Sequence, residues 1–120
     1  MSVNKKIIQS ENGVAFLLFI VLYFVVLKFN LILFLIFILV PDIFAAGYVF
    51  GNKVGSITYN LAHSFILPTV IAIILLLTSN HITLIEEIDI IWFTHIFMDR
   101  ALGYGLKESR GFKYTHLNNL

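Results

Sequence analysis

Four apolar stretches, each bounded or interrupted by a few polar residues, organise the chain. The first expected membrane span runs from Gly13 to Lys28. It is a little shorter than the ~20 residues a perpendicular crossing needs, and Lys28 can lengthen it by reaching its ammonium to the interface. Asn30 marks a tight hairpin. The second span runs from Leu31 to Gly51 and contains Pro41, whose missing N–H frees a backbone carbonyl one turn earlier. The third runs from Ser56 to Leu77 with Pro68 in its middle, and Ser79, Asn80 and His81 make the next turn. The fourth, Ile82 to Gly103, is the most polar, with Glu86, Glu87, Asp89, His95, Asp99 and Arg100. Glu86, Glu87 and Asp89 read as its solvated or headgroup-level end. Gly103 and Gly105 are expected to end this helix, because glycine tolerates the left-handed cap conformation. Residues 104–120 read as a polar, mildly basic, interfacial tail. The predicted fold is all-α: one integral membrane domain over residues 1–120, a bundle of four transmembrane helices.

Composition agrees. The chain is 59% hydrophobic and 12% charged, against about 25% charged in soluble domains. There is no cysteine, which excludes disulfides, thiolate metal sites and thiol catalysis. No basic patch or glycine-rich phosphate loop points to a nucleic acid or nucleotide. Lys5 and Lys6 precede an apolar run without a small-x-small cleavage site, so an uncleaved anchor helix is expected. With both termini cytoplasmic, the inner side holds Lys5, Lys6, Lys53, Lys107, Arg110 and Lys113, with Arg100 at its border. The outer side then holds only Lys28, the bias the positive-inside rule asks for.

This topology brings chemistry to one level. Asp42 lies nine residues before Gly51, His63 seven after Ser56, and His95 eight before Gly103. At about 1.5 Å per residue, all three sit roughly 10–14 Å in from the cytoplasmic side, with Asp99 one turn shallower. Ser56, Asn60 and His63 form a polar stripe with Ser64 beside it, and His95 and Asp99 share a helix face. Ala45, Ala46 and Gly47 allow close helix approach. Ionisable groups at such depth cost roughly 2.5–3.5 kcal/mol each on insertion and mark functional sites.

Imidazole and carboxylate are ligands for zinc and similar divalent metals. Asp42, His63, His95 and Asp99 supply three or four candidates, and His116 could fold back as another. Tyr59 and Asn60 are candidate donors that orient a ligating ring, with Ser64 close by. The competing reading is structural: buried charges that pair, Asp42 with Arg100 for instance, and lock the helices of a non-enzymatic subunit or scaffold. A proton or ion relay through the Asp and His residues is a further alternative. A haem between His63 and His95 is disfavoured, because the two aspartates suit a harder metal.

Several phrases resemble a known family: Pro41-Asp42, Gly47-Tyr48, Tyr59-Asn60-Leu61-Ala62-His63, Pro68, His95 to Asp99-Arg100, and Gly103-Tyr104-Gly105-Leu106-Lys107. Together with Thr115-His116 they are similar to the small bacterial membrane proteins grouped as domain of unknown function 4260. That likeness runs from Gly13 to Leu117 and implies a four-helix protein of the bacterial inner membrane, with no function assigned. A second likeness is to bacterial membrane-bound metal-dependent hydrolases, in the Pro-Asp, the His63-Ser64 pair and the His-x-x-x-Asp. It implies Asp42, His63, His95 and Asp99 as metal ligands, although the Arg-Gly that follows the first histidine there is missing here.

The expectation is therefore a membrane-embedded, metal-dependent hydrolase that opens to the cytoplasmic leaflet. Metal-bound water would be its nucleophile, and the carboxylate that does not ligate would be its general base. At this depth an amphiphilic or lipid substrate is expected, with Arg100 and Lys107 holding an anionic head group. The bilayer is the expected surrounding partner, and assembly into oligomers is left open.

Overall fold

The apolar runs fold as helices, and the two prolines decide where they break. The structure is a computed structural model that describes residues 3–78, 82–107, 115 and 117. Helix α1 spans Val3–Val21 and continues through a π-helical turn, Leu22–Val26. It starts ten residues before Gly13, because hydropathy marks where lipid contact begins and not where helical hydrogen bonding begins. The expected hairpin follows. Lys28 takes a left-handed conformation at φ +53°, and the Tyr23 hydroxyl donates to the Asn30 carbonyl at 2.6 Å. The Asn30 side chain accepts from the N–H groups of Ile32 and Leu33 at 2.7 and 3.1 Å, which caps α2, Leu31–Phe37.

The second expected span is not one α-helix. After α2 the chain tightens into a 3-10 segment, Val40–Phe50, with Pro41 in its first turn. Pro41 has no N–H to return to Phe37. The Asp42 N–H bonds to Leu39 O at 3.1 Å, three residues back, so the carbonyl of Ile38 is left without its helical donor. The third expected span is likewise two helices, α3 at Asn52–His63 and α4 at Ile66–Leu77. Pro68 cannot donate to Ser64 O, and Ser64 turns extended (φ −94°, ψ +149°). His63 is thereby the last residue of α3, at the break.

Helix α5, Thr83–Leu102, is close to its expected limits. The Gly103 N–H closes on Arg100 O at 3.2 Å and the Tyr104 N–H on Asp99 O at 2.8 Å, with Gly103 left-handed at φ +95°. This is the glycine stop the sequence predicted. Helix α5 is the most buried element, with α1, α2 and α4 packed around it. For that reason Glu87 and Asp89 are buried and do not form the solvated helix end expected from their charge.

Three stretches are long and apolar enough to cross a membrane: Val3–Val26, Leu31–Phe50 and Asn52–Leu77. The charges on α5 keep it out of that set. Helices α1 and α5 run antiparallel. Gln9 Nε2 donates to Ala101 O at 3.3 Å, and Phe19 packs on Phe93 and Phe97 at 5.5 and 5.0 Å.

The 3-10 segment lies directly on α3. A Cβ at Gly47 would overlap Thr58, and one at Gly55 would overlap the Tyr48 ring. Thr58 Oγ1 also donates to Phe44 O at 2.9 Å. Small residues let these backbones approach, and this contact positions Asp42. The start of the tail is tied back and does not lie free at the interface. Asn60 Nδ2 donates to Lys107 O at 2.8 Å, and the Lys107 N–H donates to Asn60 Oδ1 at 2.6 Å. Lys107 also forms an isolated antiparallel bridge with Thr115.

Candidate metal centre

Four side chains from three elements meet at one point. Asp42 comes from the 3-10 segment, His63 from the end of α3, and His95 and Asp99 from successive turns of α5. One ligand atom from each lies within 4.8 Å of the others. Asp42 Oδ1 is 3.1 Å from His63 Nε2 and 3.2 Å from His95 Nε2. Asp99 Oδ2 is 3.2 and 3.1 Å from the same two atoms. The two Nε2 atoms are 3.2 Å apart.

The opposite ring nitrogens fix what these atoms are. His63 Nδ1 bonds to Tyr59 O at 2.9 Å. His95 Nδ1 bonds to Ile38 O, the carbonyl released at the Pro41 break. A carbonyl oxygen only accepts, so each Nδ1 carries the hydrogen, and in the neutral form that binds a metal each ring turns an Nε2 lone pair inward. Each carboxylate oxygen lies 3.1–3.2 Å from both Nε2 atoms, the two Nε2 atoms are 3.2 Å apart, and all four atoms fall within 4.8 Å of one another. A proton on one Nε2 can point at only one of the other three atoms, whereas a cation at the centre faces all four. Zinc held tetrahedrally at about 2.0–2.1 Å separates its ligand atoms by about 3.3–3.4 Å, close to the nitrogen–oxygen and nitrogen–nitrogen spacings here. A second ring nitrogen that donates to a backbone carbonyl is the usual support of a metal-ligating histidine.

The corners are unequally buried. The His95, His63 and Asp99 side chains are 0%, 3% and 12% exposed, while Asp42 is 49% exposed. Asp42 borders a cavity of about 290 Å³ that is also lined by Ala45, Tyr59, Asp99, Tyr104 and Lys107. The cluster is therefore open on the Asp42 side. The Lys107 Nζ lies 4.9 Å from the Tyr59 ring centre and 6.0 Å from that of Tyr104. Burial pushes the Lys107 ammonium below its usual range, while Asp99 and Asp42 act to hold its proton.

The other expected residues have different roles. Tyr59 supports His63 twice, through its carbonyl and through a ring stacked 3.7 Å away at 6°. Asn60 holds the Lys107 backbone and does not touch a ligating ring. Ser64 Oγ accepts from the Ile66 N–H at 3.2 Å, so it serves the start of α4. Arg100 does not face the cavity as a head-group anchor or pair with Asp42. Its Nη2 donates to His63 O at 3.2 Å and its guanidinium lies over Phe65. Trp92 Nε1 donates to Ala62 O at 2.6 Å. Arg100 and Trp92 thus occupy carbonyls that the end of α3 leaves open. His116 lies outside the described residues. The Ile38 carbonyl escaped residue-type reasoning, although Pro41, three residues further on, pointed to an open backbone there.

The fold and this cluster define a helical protein of membrane type with an Asp/His group able to hold a metal ion. The chain belongs to the family described as a domain of unknown function (DUF4260), whose family model matches residues 5–120. No curated protein and no solved structure matches it.

Proposed function

We propose that the protein is a membrane-embedded, metal-dependent hydrolase, with His63, His95 and Asp99 as buried ligands and Asp42 at the wet corner. The observation that carries this reading is the convergence of two inward Nε2 atoms, each backed by an Nδ1–carbonyl hydrogen bond, with two carboxylate oxygens. A divalent ion there would supply Lewis acidity and an activated water near neutral pH. Four protein ligands would close the site, as structural zinc sites are closed, whereas catalytic sites keep a position open. The unequal burial favours opening at Asp42, which is the group that water can reach. Asp42 would then be placed to take a proton from water as general base, while Asp99, one turn from His95, would be a ligand of the ion.

Helix α5 acts as the fourth span in this reading, and both termini face the cytoplasm of a bacterial inner membrane. The Gln9–Ala101 contact, which brings the start of α1 to the end of α5, and the distribution of lysines support this orientation.

The test is hydrolysis of soluble p-nitrophenyl phosphate and carboxylate esters by the purified protein in detergent. The expected result is turnover that EDTA abolishes and added zinc or manganese restores. Asp42→Asn is expected to keep the metal and lose about 100-fold or more in kcat, the scale of a general base. Turnover that survives both EDTA and His95→Ala would contradict the reading.

A further inference from the structure

The cavity beside the metal centre has a second feature, an ammonium that the fold brings there deliberately. Lys107 lies beyond the end of α5, past the glycine stop at Gly103. Three interactions fix its backbone: two with the Asn60 side chain and one bridge to Thr115. Its side chain passes over the Tyr59 ring into the cavity it shares with Asp42 and Asp99. A lysine at a bilayer surface would ordinarily reach for water, but this residue is only 6% exposed.

Charge decides what the cavity favours. Two carboxylates and one ammonium leave it one negative charge, with both imidazoles neutral. A divalent ion at the centre turns that into one positive charge, a short distance from the lysine. The cavity then carries two separate electropositive points, one coordinating and one hydrogen-bonding. A tetrahedral oxyanion can offer one oxygen to each, and lysine is a common point-charge partner of phosphate.

We propose that the cavity of Tyr59, Tyr104 and Lys107 is a phosphate subsite, so that the substrate class is a phosphate ester presented to the metal centre. This rests on the hydrolase reading above. In hydrolysis the ester P–O bond breaks and a new P–O bond forms to water. Asp42 accepts the water's proton, and the departing alkoxide takes a proton from solvent in the cavity. Lys107 binds a non-bridging oxygen and is not itself altered. The phosphate can come from a soluble ester or from a lipid head group, since the cavity is reached from the Asp42 side.

The experiment uses the full chain in phosphatidylcholine nanodiscs, loaded with zinc, with metal content measured in every sample. One arm titrates inorganic phosphate calorimetrically. The other adds phosphatidic acid to the nanodisc and follows displacement of a bound phosphate analogue, vanadate. Binding of inorganic phosphate assigns the subsite to phosphate itself, and binding of phosphatidic acid alone assigns it to a head group; either result supports the proposal. Lys107→Met is expected to weaken binding by about tenfold or more, the scale of one charge-assisted hydrogen bond. Lys107→Arg is expected to restore most of it, and neither variant is expected to change the metal content. Metal bound with neither phosphate source taken up overturns the proposal and leaves the metal centre standing. Lys107→Met binding as tightly as the unaltered chain also overturns it. A chain that binds no metal overturns both.

Discussion

His63 and His95 each commit one ring nitrogen to a backbone carbonyl and turn the other inward. That division of roles gives the cluster its chemistry. The four residue types were legible in the sequence, because ionisable groups in apolar segments stand out and a count along each span puts Asp42, His63 and His95 at one depth, with Asp99 one turn shallower. Their supports were not legible. Asn60 looked like a partner for an imidazole by its place on the stripe, yet it pairs with the Lys107 backbone. Arg100 looked like a head-group anchor, yet it caps α3. Both depend on where helices end in space, which residue type alone does not encode. Asp89 is a further case. It is buried, and its Oδ1 has no hydrogen-bond partner among the described residues. An unpaired buried polar group costs about 1–3 kcal/mol. Asp89→Leu is therefore expected to raise the unfolding temperature in detergent by a few degrees, without changing metal content. A lower unfolding temperature would mean that Asp89 has a stabilising partner.

Among the elements, the hairpin at Asn30 and the glycine stop at Gly103 follow their sequence signals, because each is a local capping event. The second and third spans do not. Periodicity cannot distinguish one kinked helix from two short ones, and here Pro41 and Pro68 each divide a span. These breaks are useful to the site: the first releases Ile38 O for His95, and the second puts His63 at a helix end. The close packing of the 3-10 segment on α3 sets the position of Asp42. Gly55→Ala would force its Cβ into the Tyr48 ring and is expected to cost about 1–3 kcal/mol, the range for overpacking. Thermal unfolding checks this, and Gly55→Ala combined with Tyr48→Ala is expected to recover part of the loss. An unchanged unfolding temperature in the single variant would show that the two elements are not held this closely.

Across the whole molecule, the helix richest in charged residues holds the most buried positions. Three stretches have the length and composition of membrane spans, and α5, which carries half of the cluster, lies among them. Average hydropathy therefore ranks α5 last as a span, although it packs against most of the other elements. Membership of a domain family of unknown function names the kin without naming the chemistry, so the account rests on the site. In the reading proposed above, the His63, His95 and Asp99 side chains hold a divalent ion, with Asp42 at the open corner. The most direct test is elemental analysis of the protein purified in detergent without chelators, beside folded His95→Ala and Asp99→Ala variants. The unaltered chain is expected to carry about one equivalent of a divalent metal and both variants to lose most of it, as removing one ligand from a three- or four-ligand site should cause. No metal after purification, and none taken up on titration with zinc, manganese or iron(II), would contradict it.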